Sequence, residues 1–234
     1  MLEQVKERVL EANLALKDSG LVILTWGNAS ERDESGEYMV IKPSGIDYSA
    51  MTKDDMVVVK IDTGEVIEGK LRPSSDAPTH LELYRAYPEV RGVVHTHSKW
   101  ATAFAEAGRE IRPLGTTHAD CFFGAVPCTR ALSREEIDGE YEKNTGLVII
   151  ETIGERDPLS IPAALVKSHG PFTWGKSAAA AVETAMTLET VAEMNYIAES
   201  LCPTLSDMDG ALLSKHFLRK HGKDAYYGQG DKTK

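Results

Sequence analysis

Val5, Val9, Ala12 and Leu16 recur at helical spacing and Gly20 follows them, so the pattern predicts a helix over residues 3–19. A short apolar run occupies residues 22–25. Strand-like segments at 29–32 and 37–42 then flank Asp33-Glu34-Ser35-Gly36 and predict a hairpin. Residues 57–61 and 65–68, around Asp62-Thr63-Gly64, predict another. Residues 79–87 read as a helix that stops before Pro88. The run Val90-Arg91-Gly92-Val93-Val94 reads as a strand ending at His95-Thr96-His97, and Ser98 caps a helix to Ala107. Residues 116–120 read as a loop, and 134–153 as one helical stretch around Tyr141. Residues 163–166 read as a strand entering His169-Gly170. Ser177 opens a long Ala-rich helix to about Ser200, Ser206 opens a last helix toward Gly222, and a polar tail follows.

No repeat, low-complexity block or long linker interrupts this order. The reading is one α/β domain over 1–234, with a central, mainly antiparallel sheet flanked by helices. Apolar residues are 42% and charged residues 26% of the 234, ordinary for a chain that buries a core. The net charge of -10 argues against a nucleic-acid partner, whose phosphates most of the surface would repel. A small anion needs only a local cradle of donors. Cys121, Cys128 and Cys202 form no C-x-x-C pair, which fits a reducing compartment. The charged, amphipathic start is no signal peptide, and no apolar run approaches the roughly 20 residues of a membrane span. A cytoplasmic protein without a membrane partner is therefore expected.

The sharpest chemistry lies in the histidines. On a strand, residues i and i+2 share a face, so His95 and His97 can reach one cation. Alone, the pair fits two surface histidines in a turn equally well. His169, at the end of another strand-like run, adds a third imidazole. Three histidines with an open position make a catalytic pattern, whereas structural zinc sites are usually closed by cysteines. Asp76 reads either as an oxygen ligand or as the N-cap of the helix that follows, and local rules leave both open. His80 reads as solvated or packed, His118 as a neighbour of Asp120, and His216 and His221 as surface residues.

Three segments offer small residues and donors suited to an anion: Thr25-Trp26-Gly27-Asn28-Ala29-Ser30, Lys42-Pro43-Ser44-Gly45 and Ser74-Ser75. Each alone also fits a simple turn. Asp120 is a candidate proton shuttle, though a loop aspartate more commonly serves its own backbone.

With these motifs assembled, the chain resembles the class II aldolase/epimerase family, and within it the L-ribulose-5-phosphate 4-epimerases. The similarity runs over nearly the whole length. It covers the three anion segments, Arg72 to His80, His95-Thr96-His97, Thr116 to Asp120, Lys167 to Gly175 and Lys215 to Gln229. The resemblance implies a class II aldolase/adducin-like fold and a homotetramer with active sites between subunits. It implies one divalent metal at Asp76, His95, His97 and His169, with Zn2+ first and Mn2+ or Co2+ as alternatives. It implies phosphate and sugar contacts from Gly27, Asn28, Lys42, Ser44, Gly45, Ser74 and Ser75. Asp120 and, from an adjacent subunit, Tyr227 become the acid/base pair, with Thr116, Glu142, His216 and Arg219 lining or supporting the site. The related L-fuculose-phosphate aldolases carry Glu where this chain has Asp76, so the epimerase is the expected activity and the aldolase its nearest rival. A methylthiopentulose-phosphate dehydratase fits the Tyr-Tyr-Gly-Gln tail less well. A non-catalytic scaffold fits the retained ligands less well. Both arabinose and ascorbate breakdown use this epimerisation.

Overall fold

A computed structural model describes residues 2–223, 225 and 226. The first helix, α1 (Glu3–Asp18), buries Val5, Val9, Ala12, Asn13 and Leu16, the stripe that its periodicity predicts. The first hairpin is β1 (Asn28–Arg32) and β2 (Tyr38–Ile41). Asp33 closes it by accepting the Tyr38 N–H through Oδ1. The second is β3 (Val57–Lys60) and β4 (Val66–Glu68), entered through a 3-10 turn at Lys53–Asp55. There follow α2 (Ala77–Ala86), β5 (Gly92–His95), α3 (Lys99–Ala107), α4 (Thr116–Ala119), α5 (Arg134–Asp138) and α6 (Tyr141–Ile153). The described chain ends with β6 (Ala163–Val166), β7 (Gly170–Gly175), α7 (Ala178–Leu201) and α8 (Gly210–His221).

The seven strands form one sheet in the order β4-β3-β2-β1-β5-β7-β6, and every neighbouring pair is antiparallel. Side-chain alternation divides the core between its faces. Met39, Ile41, Val57, Val59, Val93, Phe172 and Trp174 pack with Leu81, Leu83 and Tyr84 of α2 and Ile149 and Ile153 of α6. Val40 and Val58 turn the other way, toward Val5 and Val9 of α1. Ala29 and Val94 meet Ala178, Ala181 and Ala185 of α7. The antiparallel α/β expectation therefore holds, with helices on both faces.

Four local expectations are corrected. Residues 116–119 form a helical turn, not a loop: Asp120 N–H reaches Thr116 O at 3.0 Å and α4 packs on α8. The stretch 134–153 is two helices divided at Gly139, where Glu135 accepts the Gly139 N–H and the backbone leaves helical space. The last helix begins at Gly210 because Asp209, rather than Ser206, caps it, accepting from Ala211 N at 2.8 Å. Residues 170–175 are a full strand that pattern reading stopped short of.

Candidate active site

Antiparallel pairing brings the starts of β1 and β7 and the ends of β2 and β5, all interior strands, to the same end of the sheet. Asn28 lies opposite His95, and His95 opposite Phe172. His97 follows β5 on the same face as His95, and His169 sits in the turn between β6 and β7. Within that turn Ser168 has a φ of 61°, and the Gly170 position leaves no room for a side chain, since a Cβ would stand 2.8 Å from Thr96 O.

One ring nitrogen from each of His95, His97 and His169 lies within 4.8 Å of the others, and His95 Nε2 is 3.1 Å from His97 Nε2. Phe172 stacks on His95 with ring centroids 4.2 Å apart, which fixes the plane of that imidazole. His95 Nδ1 lies 3.0 Å from Pro171 O, so it carries the proton and donates, leaving Nε2 as a bare donor atom. Burial lowers the pKa of all three imidazoles, and takes His95 down to about 3 despite the opposing pull of Asp76. Three neutral nitrogens at one point form the donor set that a divalent ion requires.

Asp76 stands at the N-cap position of α2, but its carboxylate makes no capping bond. Its Oδ2 accepts from Asn28 Nδ2 at 2.7 Å instead. Burial pushes its pKa up, and its attraction for His95, then for His80, when those rings take up a proton, together with the Asn28 hydrogen bond, holds the carboxyl below its usual range. The carboxylate thus lines the cavity that holds the histidines instead of capping its own helix, and it stands outside the close cluster that the three rings form.

The same cavity, about 370 Å3, is lined by Gly27, Asn28, Lys42, Ser44, Gly45, Ser74, Ser75, Asp76, His95, His97, Glu142 and His169, together with Thr25, Trp26 and Tyr141. Two backbone bonds clip the 42–45 and 72–75 loops together: Ser74 N–H to Lys42 O at 2.9 Å and Ser44 N–H to Arg72 O at 3.0 Å. Lys42 is 2% exposed. Its ammonium donates to Pro43 O at 3.2 Å, and among the described residues no carboxylate lies at ion-pair distance. Desolvation lowers its pKa while Asp47 and Asp76 oppose this. A buried cation without a carboxylate partner makes the cavity attractive to an anion.

Asp120, His216 and Arg219 form a separate cluster between α4 and α8, outside this cavity's lining in the single chain. Arg219 Nη2 donates to both Asp120 oxygens at 3.0 and 2.8 Å, and His216 Nδ1 lies 3.0 Å from Oδ1. Burial would raise the Asp120 pKa, yet the hydrogen bonds from Arg219 and His216 hold it below the usual carboxylate range. Thr116 begins α4 and is exposed. Tyr227 lies outside the described residues. His118, expected beside the site, is buried and donates from Nε2 to Gly124 O at 2.7 Å, serving its loop.

Sequence reasoning passed over Tyr141. Its hydroxyl is 3.4 Å from His169 Nδ1, at the first residue of α6. Its neighbour Glu142 was marked, so the segment was visible although the phenol was not.

The Class II Aldolase and Adducin N-terminal domain family matches residues 7–196. This chain belongs to that family. Solved structures share the fold. An L-fuculose 1-phosphate aldolase is 21% identical with a TM-score of 0.76, over 91% of this chain and 94% of the other. The L-fuculose 1-phosphate aldolase from Glaciozyma antarctica PI12 is 21% identical at a TM-score of 0.73, covering 92% of this chain and 80% of that one. An aldolase II superfamily protein from Pseudomonas syringae is 18% identical at 0.74, covering 97% and 87%. The histidine cluster and Lys42 thus sit in a class II aldolase-family fold.

Proposed function

We propose that the chain interconverts L-ribulose 5-phosphate and D-xylulose 5-phosphate by opening and re-forming the C3–C4 bond. The observation that carries this reading is one cavity holding three neutral imidazoles, the Asp76 carboxylate and the buried Lys42 ammonium, which no carboxylate of the described residues contacts. His95, His97, His169 and Asp76 would hold a divalent ion, Zn2+ first, with Mn2+ or Co2+ as alternatives. When bound, such an ion supplies the Lewis acidity that stabilises negative charge developing on a substrate oxygen.

The C4 proton of a 2-keto sugar phosphate is not acidic, so direct abstraction there is slow. A base that takes the C4 hydroxyl proton lets the C3–C4 electron pair pass toward the C2 carbonyl. This yields the enediolate of dihydroxyacetone and glycolaldehyde phosphate. Lys42, with Ser44, Gly45, Ser74 and Ser75, retains the phosphate. Gly27 and Asn28 border the same cradle. If the aldehyde presents its other face before the bond re-forms, C4 is inverted. One proton shuttle is needed on each face, and Asp120 and Tyr227 are assigned these parts. Arg219 and His216 keep Asp120 ionised and oriented, Glu142 borders the cavity, and Thr116, on α4 with Asp120, joins from the same side as that residue. Because Asp120 lies off the cavity of its own chain, the reading includes a homotetramer in which a neighbour supplies it.

The solved structures named as L-fuculose 1-phosphate aldolases favour a second reading, cleavage of a deoxysugar phosphate to dihydroxyacetone phosphate and an aldehyde. Asp76, where the family resemblance implies Glu in an L-fuculose-phosphate aldolase, favours the epimerase. Incubation with each substrate separates the two. The epimerase converts L-ribulose 5-phosphate without accumulating aldehyde. Rapid aldehyde release from L-fuculose 1-phosphate, with L-ribulose 5-phosphate untouched, would replace it with the aldolase.

A further inference from the structure

Tyr48 stands behind the anion cradle. It is 2% exposed, and its ring is anchored among Val5, Val9, Val40, Met51, Met56 and Val58 in the core between α1 and the sheet. From there it reaches both halves of the cradle. Its hydroxyl donates to Gly27 O at 2.8 Å and lies 3.2 Å from Trp26 O. Lys42 Nζ lies over its ring, 4.9 Å from the centroid.

Two consequences follow from elementary geometry. In a trans peptide the N–H points opposite to the carbonyl of the same plane. Holding Trp26 O and Gly27 O against a fixed phenol therefore sets the direction of the Gly27 and Asn28 N–H groups at the cavity wall. The ring face, in turn, stabilises a desolvated ammonium without neutralising it, as a carboxylate would. Lys42 keeps its charge available to a ligand.

We propose that Tyr48 is the positioning residue of a phosphate subsite, locking the Gly27 segment and the Lys42 ammonium into one rigid cradle. This rests on reading the Lys42 cavity as an anion site. Tyr48 touches no ligand in this scheme. It removes the cost of ordering the loop when a phosphate binds.

The test is calorimetric titration with inorganic phosphate of wild type, Tyr48→Phe and Lys42→Met, well below their melting temperatures, with bound metal measured in each. Phenylalanine keeps the ring in the core and under Lys42, and removes only the hydroxyl. Tyr48→Phe is expected to weaken phosphate binding about three- to tenfold, the scale of one hydrogen bond, with metal content unchanged. Lys42→Met is expected to lose binding almost entirely. If Lys42→Met weakens phosphate and Tyr48→Phe matches wild type, Tyr48 has no positioning role and the anion site stands. If Lys42→Met binds as well as wild type, the anion reading fails and this inference with it. A loss in Tyr48→Phe that tracks lost metal would assign the effect to general disruption and overturn the proposal.

Discussion

His80 illustrates how a single residue can be placed by pattern and yet understood only by packing. Its position on a helix admits a solvated or a packed ring, and the ring is fully buried, with Nδ1 2.7 Å from Ser30 Oγ. Burial drives its pKa down to about 4 from 6.5, against the attraction of Asp76. The folded chain therefore keeps this imidazole neutral while the unfolded chain protonates it near pH 6.5. The stability it contributes is whole above pH 6.5, drains as pH falls toward 4, and is level below. The full span corresponds to about 3 kcal/mol. Urea unfolding of wild type and His80→Gln at pH 7 and pH 5 checks this. Wild type should lose the more stability, and equal losses would contradict the assignment. Asp76 teaches the same lesson. The sequence allows both N-cap and ligand, and only the contact with Asn28 decides where the carboxylate faces.

At the level of elements, β5 was readable because Val93 and Val94 lead straight into His95. The strand β7 was not, since His169-Gly170-Pro171 looks like the end of a segment. Pairing on both sides, with β5 and β6, makes Pro171 to Trp174 a buried strand. The loop before β1 was legible as a cradle but its constraint was not. Gly27 has a φ of 90°, and a Cβ there would stand 2.9 Å from His95 O and 2.8 Å from Val22 Cγ1. Gly27→Ala is expected to cost about 2–4 kcal/mol and to weaken phosphate binding as well. Denaturant midpoints and phosphate titration check the two effects together. A substitution tolerated in both would show that this turn is not held as described. Ser133→Ala, which removes the cap accepting from Glu136 N–H, should cost about 1 kcal/mol and leave phosphate affinity alone.

Across the whole molecule, the motif residues divide into two places. The histidines, Asp76 and the cradle share a cavity, while Asp120, His216 and Arg219 sit between α4 and α8. Sequence order cannot reveal that division, because it depends on how the folded chain sets the α4–α8 pair apart from the strand ends that carry the histidines. Large apolar residues on α7 and α8 remain exposed in the single chain, including Tyr196 at 55%, Leu201 at 82% and Leu218 at 53%. If neighbours complete each other's sites, Asp120→Asn and His97→Asn chains, each inactive alone, should regain activity when refolded together. An equal mixture of a closed symmetric oligomer would carry about a quarter of its sites intact. No recovery in mixed oligomers of confirmed composition would mean that both clusters act within one chain.

The most direct measurement is the metal content of wild type, His97→Asn and His169→Asn after chelation, dialysis and reloading with Zn2+, alongside circular dichroism and turnover of L-ribulose 5-phosphate. Wild type should take up one ion per chain and regain activity with it. Both variants should keep the fold, bind at least about tenfold more weakly, and remain inactive. Full loading of the variants, or full activity in chelated wild type, would contradict a metal centre at His95, His97 and His169.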